Sequence, residues 1–461
     1  MKVLFSIALL VAATAACSAA ATVTFNDVAP IVYAKCAGCH RPGESGPFPL
    51  TSYAEVAKRG KLIAAVTAKR YMPPWHAEPA AVAYRDERRL SDAQLAVIQD
   101  WVKQGMPEGD PKQAPKLPEF PSGWQLGKPD LVVSLAQAYR IPASGADIYR
   151  DFVIPVGLAE DKWIRAIEVR PSAPKAVHHM LYYGDPTGSL RQADGASGLP
   201  GFAGLGLPRG TVGLGTWAAG TQPHFLPDGI ARPFPKGSDL VIQEHFHPTG
   251  KEEMEKTVVG IYFAKSAPER RMLGVQLPPE FGLLAGVHIP AGEKAYTVRD
   301  SYTLPVDVDA FAASAHAHYL GKSMKLTATL PTGETKVLLW IKNWDFAWQD
   351  GYVFSDFVAL PKGTRLDGEV TWDNSAENPH NPSNPPVDVW WGEQSRDEMG
   401  SVTLDLVAAR PADRNALTAD LAERMKRITT AAFQSDPALQ QRIHDISTGR
   451  SAVFQAGEPK R

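Results

Sequence analysis

Four short stretches of this chain carry the side chains that bind metals. The first is Cys36-Ala37-Gly38-Cys39-His40. Two thiols at this spacing, followed at once by an imidazole, form the attachment pattern of a c-type haem. The thiols bond the porphyrin vinyl groups and His40 comes to lie under the iron, all from one helical turn. A redox disulfide or half a zinc site is the alternative use of the same thiols; an exported CxxC with an immediate His, no other cysteine in the mature chain and a helix on each side favours haem. The sixth iron ligand has three candidates. Met72 lies in an extended loop held by Pro73 and Pro74, and Met106 and His76 are its rivals. A thioether there raises the potential relative to a second imidazole, as suits an electron carrier.

The other three stretches are His178-His179, His245-Phe246-His247 and His316-Ala317-His318, drawn from a total of 12 histidines. On a strand, residues i and i+2 face the same way, so His316 and His318 can grip one ion together. Adjacent His178 and His179 point apart on a regular strand and share an ion only where the backbone bends, or through different ring nitrogens. A third imidazole from another strand would complete that site, with His245 and His247 both available. No cysteine or paired carboxylate motif accompanies these histidines, which argues against structural zinc and against a hard cation. Imidazole suits copper, zinc or iron, and a thioether selects copper. Met399, before the strand-like Val402-Thr403-Leu404, is the thioether that could join the His316/His318 pair. A zinc hydrolase would be expected to show an HExxH helix, and none is present.

Elements must carry these groups. Phe25 to Ala34 is amphipathic, and a helix capped by Ser91 runs to Trp101-Val102 and stops near Gly105. From about residue 127 short β-like runs take over: Leu131–Leu135, Trp163–Val169, Leu240–His245, Thr257–Phe263, Ser323–Thr329 and Lys336–Ile341. Residues 412–434 are again helical in composition. The chain has 461 residues, enough for two to four domains. Its 48 basic and 50 acidic residues leave a net charge of -2, and nothing in that balance points to nucleic acid. Residues 1–20, with Lys2 before an apolar run and small residues after it, read as a signal peptide, so export to the periplasm is expected. Lipid anchoring at Cys17 is the lesser alternative, because Thr14 stands where such signals usually carry Leu. No later stretch is long and apolar enough to span a bilayer. With only three cysteines, a disulfide-built scaffold is excluded.

Residues 22–108 resemble the cytochrome c family, through CAGCH, the Met-Pro-Pro loop and the closing helix with Trp101. Residues 127–408 resemble the copper type II, ascorbate-dependent monooxygenases, which include peptidylglycine alpha-hydroxylating monooxygenase and dopamine beta-monooxygenase. The resemblance rests on VHHMLYYGD (177–185), the Trp217 region with LPDG (226–229), LVIQEHFHPTG (240–250), IPAGEKAY (289–296), AHAHYLGK (315–322) and DEMG (397–400), in family order. It implies two copper ions in two β-sandwich domains with a solvent-filled cleft between them. His178, His179 and His245 match the ligands of an electron-storing copper, with His247 the local rival. His316, His318 and Met399 match an O2-binding copper where a substrate C–H bond is hydroxylated. Gln243, Glu244, Tyr319 and Asp397 are candidates for holding the imidazoles.

The expected fold is multidomain: a small all-α cytochrome c domain, two all-β jelly-roll-like sandwich domains and a short helical C-terminal tail. The expected divisions are signal 1–20, haem domain 21–109, Pro-rich linker 110–126, sandwiches 127–270 and 271–410, and tail 411–461. Cys36, Cys39, His40 and Met72 would hold one covalently attached haem c. The partners implied are a small organic substrate, O2 and an external electron donor, either an ascorbate-like reductant or a periplasmic redox carrier. An electron-transfer or copper-binding protein without enzymatic activity is the alternative. Peptide-amidating members of the family clamp a substrate carboxylate with an Arg, an Asn and a Tyr; Ser314, Ser401 and Thr403 stand in those places here. A glycine-extended peptide is therefore a poor fit. The segment from Trp372 to Pro379 resembles the bacterial branch of the family and is a candidate cleft lining. Trp344, Phe346, Trp348, Tyr352 and Phe354 suit either an apolar substrate or core packing.

Overall fold

A computed structural model describes residues 22–447 apart from 45, 122, 146, 204–209, 219–220 and 393. The expected signal peptide, with Cys17, lies outside the described residues. The chain divides into two compact units. The smaller takes the chain to Pro73 and then Leu90–Pro118, and the larger comprises Pro74–Arg89 and Glu119 onward. Residues 74–89, read from sequence with the haem domain, thus belong to the larger unit, as does the last part of the expected linker.

The smaller unit is helical: α1 (Phe25–Lys35), α2 (Tyr53–Ala57), α3 (Gly60–Ala68) and α4 (Asp92–Lys103). Ser91 caps α4 as expected, its hydroxyl accepting from the Gln94 peptide N–H while the Gln94 side chain returns to the Ser91 N–H. Gly105 adopts φ +83 just past the helix end, a conformation that costs glycine little. The core joins α1 to α4: the Phe25 and Trp101 rings lie 6.1 Å apart, and the fully buried Trp101 indole donates to the Pro107 carbonyl.

The larger unit is built on antiparallel sheets. Its first part contains β1 (Leu131–Ser134), β2 (Tyr139–Ile141), β3 (Ile148–Pro155), β4 (Lys162–Arg170), β5 (Val177–Asp185), β6 (Val212–Ala218), β7 (Arg232–Phe234), β8 (Asp239–Phe246), β9 (Glu253–Glu255) and β10 (Val258–Phe263). The sheets β1-β10-β4-β7 and β3-β8-β5-β6 share one core. Ile164 and Ile261 enter it from the first sheet, Met180, Leu240, Ile242 and Phe246 from the second. Each such side chain contributes about 1.5–3 kcal/mol when fully buried.

The second part contains β11 (Leu273–Leu277), β12 (His288–Ile289), β13 (Tyr296–Thr303), β14 (Val308–Ala317), β15 (Gly321–Thr329), β16 (Thr335–Ile341), β17 (Gly351–Leu360), β18 (Arg365–Trp372), β19 (Val389–Trp390) and β20 (Gly400–Ala408). Sheets β11-β20-β14-β17 and β13-β18-β15-β16 again enclose a core, with Leu404 and Leu406 on one side and Leu326 and Val370 on the other. Ile230 and Leu226 of the first part pack with Phe311, Val353 and Val407 of the second, which seals the two sheet pairs together.

The expected tail forms α5 (Arg414–Ser435) and α6 (Leu439–Ser447). It is docked on the second sheet pair: Leu417 is fully buried in that core, the Tyr302 hydroxyl donates to Asp420, and Arg424 pairs with Asp300. Among the described residues, no helix is long and apolar enough to cross a membrane.

Candidate metal centres

The first imidazole set is made by the pairing of β5 with β8. His179 lies directly opposite His245 in the register, and the register slips between Val177 and His179. That slip is a bulge at His178, the local bend which two adjacent histidines need in order to face one point. The Nδ1 atoms of His178 and His179 are 3.0 Å apart, and those of His245 and His179 are 3.3 Å apart. The ligand atoms of all three rings lie within 4.8 Å of one another, so the cluster can hold a metal ion. Asp147 fixes one of the rings. Its carboxylate oxygens contact His245 Nε2 at 2.9 Å and His247 Nδ1 at 2.8 Å. With its Nε2–H donated to Asp147, His245 offers a bare Nδ1 to the cluster. His247 turns its Nδ1 to the other Asp147 oxygen and leaves its side chain 65% exposed, outside the cluster.

Burial sets the protonation of these groups. It pushes the His178 imidazole down to about 3, with His245 adding to the effect, and it holds His179 and His245 below the ordinary range as well. All three rings are therefore neutral at pH 7, the form that binds a metal. Burial raises the Asp147 carboxyl, but the His245 and His247 hydrogen bonds outweigh it and bring the group down to about 2. Tyr149 stacks on His245 at 4.1 Å between ring centroids.

The second set sits at the end of β14. His316 is paired with Ser401 and Ala317 with Gly400, so Met399 continues β20 by one step to the level of His318. The two rings stand 5.2 Å apart at 88°. His316 Nδ1 donates to the Gln349 side-chain oxygen at 2.6 Å, and His318 Nδ1 donates to the Asp397 carbonyl at 3.0 Å. Both rings therefore keep Nε2 bare, the reverse of the first set. Burial pushes His316 down to about 4 and, with His316 adding, His318 to about 3. Glu398, beside Met399, braces the strand end by accepting from the His318 and Leu320 peptide N–H groups and from the Trp372 indole. Burial pushes its carboxyl up to about 8 against those three donors.

The Phe346 side chain contacts both sets. Phe346 stacks on His178 at 4.7 Å and presents its edge to His318 at 5.8 Å. Nearby, Ser395 bonds to the Tyr149 hydroxyl and to Asp147, tying the second sheet pair to the first imidazole set. Phe346 thus stands between one ring of each set.

Of the residues expected to hold the rings, Asp397 does so through its carbonyl. Tyr319 packs on Phe346 at 4.7 Å. Gln243 turns to Asp151. Glu244 faces the core, where burial and Glu255 push its carboxyl well up. Asp147 and Gln349 were missed, because neither sits in a motif or at a telling spacing. Trp344, Tyr352 and Phe354 belong to the core. The Trp372–Pro379 segment is a braced loop in which the Asn374 amide donates to the Ile289, Pro290 and Val387 carbonyls. In the places of the family's substrate clamp, Ser314 pairs with Thr403 across β14 and β20, and Ser401 accepts from Gln276.

In the smaller unit, Cys36 and Cys39 are not joined in a disulfide and lie on the turn that follows α1. The His40 peptide N–H returns to the Cys36 carbonyl at 2.9 Å, so both thiols and the imidazole do come from one turn. His40 Nδ1 donates to the Phe48 carbonyl at 3.0 Å, which leaves Nε2 without the proton. Gly46 closes over this turn, and a Cβ there would lie 2.7 Å from the Cys39 carbonyl oxygen. Burial, with Cys39 adding, pushes the Cys36 thiol up to about 12. The Met106 thioether packs against Gly60, where an added Cβ would collide with the sulfur. His76 belongs to the larger unit. Met72 has its peptide N–H on the Val66 carbonyl at the end of α3.

No protein-family model and no curated protein matches the chain. Among solved structures, PNGase F, a glycosylasparaginase from Flavobacterium meningosepticum, is 8% identical, with 60% of this chain and 96% of that chain covered and a TM-score of 0.27. The infectious bursal disease virus VP2 subviral particle is 10% identical, covering 64% of this chain and 76% of that one at a TM-score of 0.19. The major capsid protein P2 of bacteriophage PM2 is 9% identical over 60% of this chain and 97% of that one, at a TM-score of 0.23. Likenesses this weak assign neither a fold nor a function.

Proposed function

We propose that this chain is a copper-dependent monooxygenase that hydroxylates a C–H bond of a small organic substrate, with electrons arriving through a haem c bound at Cys36, Cys39 and His40. One observation carries the reading: two neutral imidazole sets, with His245 and His318 buried and His178, His179 and His316 partly so, face each other across Phe346 and present opposite ring nitrogens. His178, His179 and His245 would hold one copper through Nδ1. His316 and His318, through Nε2, with Met399 would hold the other. The donor sets fit: imidazole suits either oxidation state of copper, and the thioether favours Cu(I). The jelly-roll form of the two sheet pairs and the cytochrome c identity of the smaller unit are part of this proposal, as are export to the periplasm and Met72 as the sixth iron ligand.

When bound, the coppers would supply the one-electron chemistry by which RH, O2, two electrons and two protons give ROH and H2O. The chain's own residues prepare the site. Asp147, Gln349 and the Asp397 carbonyl hold the imidazole protons away from the metal positions. Phe346 keeps water from between the two sets. Ser314, Ser401 and Thr403 offer hydroxyls only, so the substrate is not selected by a charged clamp. The external donor would be another redox carrier or an ascorbate-like reductant.

The test is O2 consumption coupled to product formation by the copper-loaded, haem-bearing protein. With the haem reduced anaerobically and O2 then admitted with a candidate substrate pool, oxygenated product should appear in the mass spectrum and be lost in Met399→Ala. Oxygen uptake with no product, equal in wild type and Met399→Ala, would refute the enzyme reading.

A further inference from the structure

The segment Pro74–Arg89 is the unexplained part of the larger unit. It leaves the helical unit after Pro73, crosses the second sheet pair and rejoins the helical unit at Leu90. It pairs with two edge strands that lie in different sheets. On β16, Ala77 lies opposite Ile341, and the Glu78 and Ala81 peptide N–H groups donate to the Trp340 and Val337 carbonyls at 2.7 and 3.1 Å. On β17, Tyr84 lies opposite Phe354, Arg85 N–H donates to the Val353 carbonyl at 2.7 Å, and Ser355 N–H donates to Ala83 at 2.8 Å. Edge strands carry unpaired backbone groups, and this strap satisfies part of both edges at once.

Strands β16 and β17 are joined by the loop 342–350, and that loop bears on both imidazole sets. Phe346 lies against His178 and His318, and Gln349 holds the proton of His316 Nδ1. The strap grips the loop's end. Arg88 pairs with Asp350, next to Gln349, and its Nε donates to the Pro74 carbonyl, which closes the strap on itself. Trp75 packs edge-on against Tyr352 at 5.1 Å and against Tyr84 at 5.8 Å. The Tyr84 hydroxyl reaches back to the Leu338 carbonyl at 2.8 Å.

We infer that the strap is a working part of the His316/His318/Met399 centre, with Arg88 a positioning residue that acts through Asp350 and Gln349 on the His316 ring. This rests on the reading of those three residues as a metal site. A loop released at Asp350 lets the Gln349 oxygen leave His316 Nδ1. The ring then loses its fixed tautomer, and the metal loses a preset donor. Disturbing such outer partners typically costs about 10- to 100-fold in metal affinity.

The experiment is a Cu(II) titration of the full haem-bearing chain carrying His178→Ala and His179→Ala, followed by electron paramagnetic resonance, with the fold checked by circular dichroism at the same temperature. Arg88→Ala should weaken binding about tenfold or more and alter the copper hyperfine pattern, and Arg88→Lys should restore part of both. If Arg88→Ala does not fold, the near-isosteric Asp350→Asn replaces it with the same expectation. Unchanged affinity and an unchanged spectrum in the folded variant would overturn the strap's role. So would a fall in melting temperature with no spectral change. If the parent double variant itself binds no copper, it is the metal-site reading that fails, and the two failures are distinguished.

Discussion

Removing the carboxylate of Asp147 should weaken the three-histidine centre without removing a ligand. Asp147 Oδ2 accepts from His245 Nε2 at 2.9 Å and holds that ring's proton away from the cluster. In Asp147→Ala the two tautomers of His245 become comparable, and a buried N–H loses its acceptor. The expected loss is about 10- to 100-fold in affinity, equivalent to about 1.4–2.7 kcal/mol. The assay is an anaerobic Cu(I) competition against a coloured chelator, in a chain with His316→Ala and His318→Ala so that one centre binds. His247→Ala is the internal control. The His247 side chain is mostly exposed and its ring meets the other Asp147 oxygen, so its loss should change affinity by less than about threefold. An unchanged affinity in Asp147→Ala would refute the tautomer argument. A loss in His247→Ala as large as in His245→Ala would show that His247 is a ligand.

Phe346→Ala should cost about 3–5 kcal/mol in denaturant unfolding, since the ring is 7% exposed and contacts both imidazole sets; a cost under about 1 kcal/mol would mean the wedge is not packed as described. Cys36→Ala together with Cys39→Ala should abolish haem that survives denaturing electrophoresis, and retention of a covalent haem band would sink the attachment assignment. The metal-free protein should lose stability as pH falls from about 6.5. The folded values of His178, His316 and His318, about 3, 4 and 3, are depressed. The unfolded chain therefore gains protons first, and the stabilisation present above 6.5 is lost on the way down. Glu398, pushed up to about 8, titrates in the opposite sense, so equilibrium unfolding at pH 7, 6 and 5 is compared between the parent and His178→Gln; a loss just as steep in His178→Gln would contradict the burial of that ring.

The sequence carried the parts of this architecture that depend on local order. The HxH spacing put His316 and His318 on one face of a strand, and the adjacent pair at His178 demanded a bend that the structure supplies as a bulge. Ser91 marked a helix start because a side chain and the nearest peptide groups decide a cap. His245 could not be separated from His247 by spacing, because the choice is made by Asp147, some 98 residues away along the chain. Gln349 was invisible for the same reason. The strap was hidden more deeply. Its pairing partners lie more than 250 residues on, as Tyr84 with Leu338 shows, and it has neither period-2 alternation nor a helical stripe. Phe346 was noticed as an aromatic residue, but composition does not separate a wedge from a core side chain.

The double crossing of the chain at Pro74 and Arg89 limits how this protein could be rearranged. A gene cut at the Pro-rich stretch after residue 110 would look like a clean separation of a small carrier from a large sheet protein. The large piece would then lose the strand that seals two of its sheet edges, and the small piece would keep that strand with nothing to seal. The two units are therefore not interchangeable modules. Any recombination or grafting that replaces one with a foreign counterpart must carry Pro74–Arg89 with the sheets, as an interruption in the other unit's sequence.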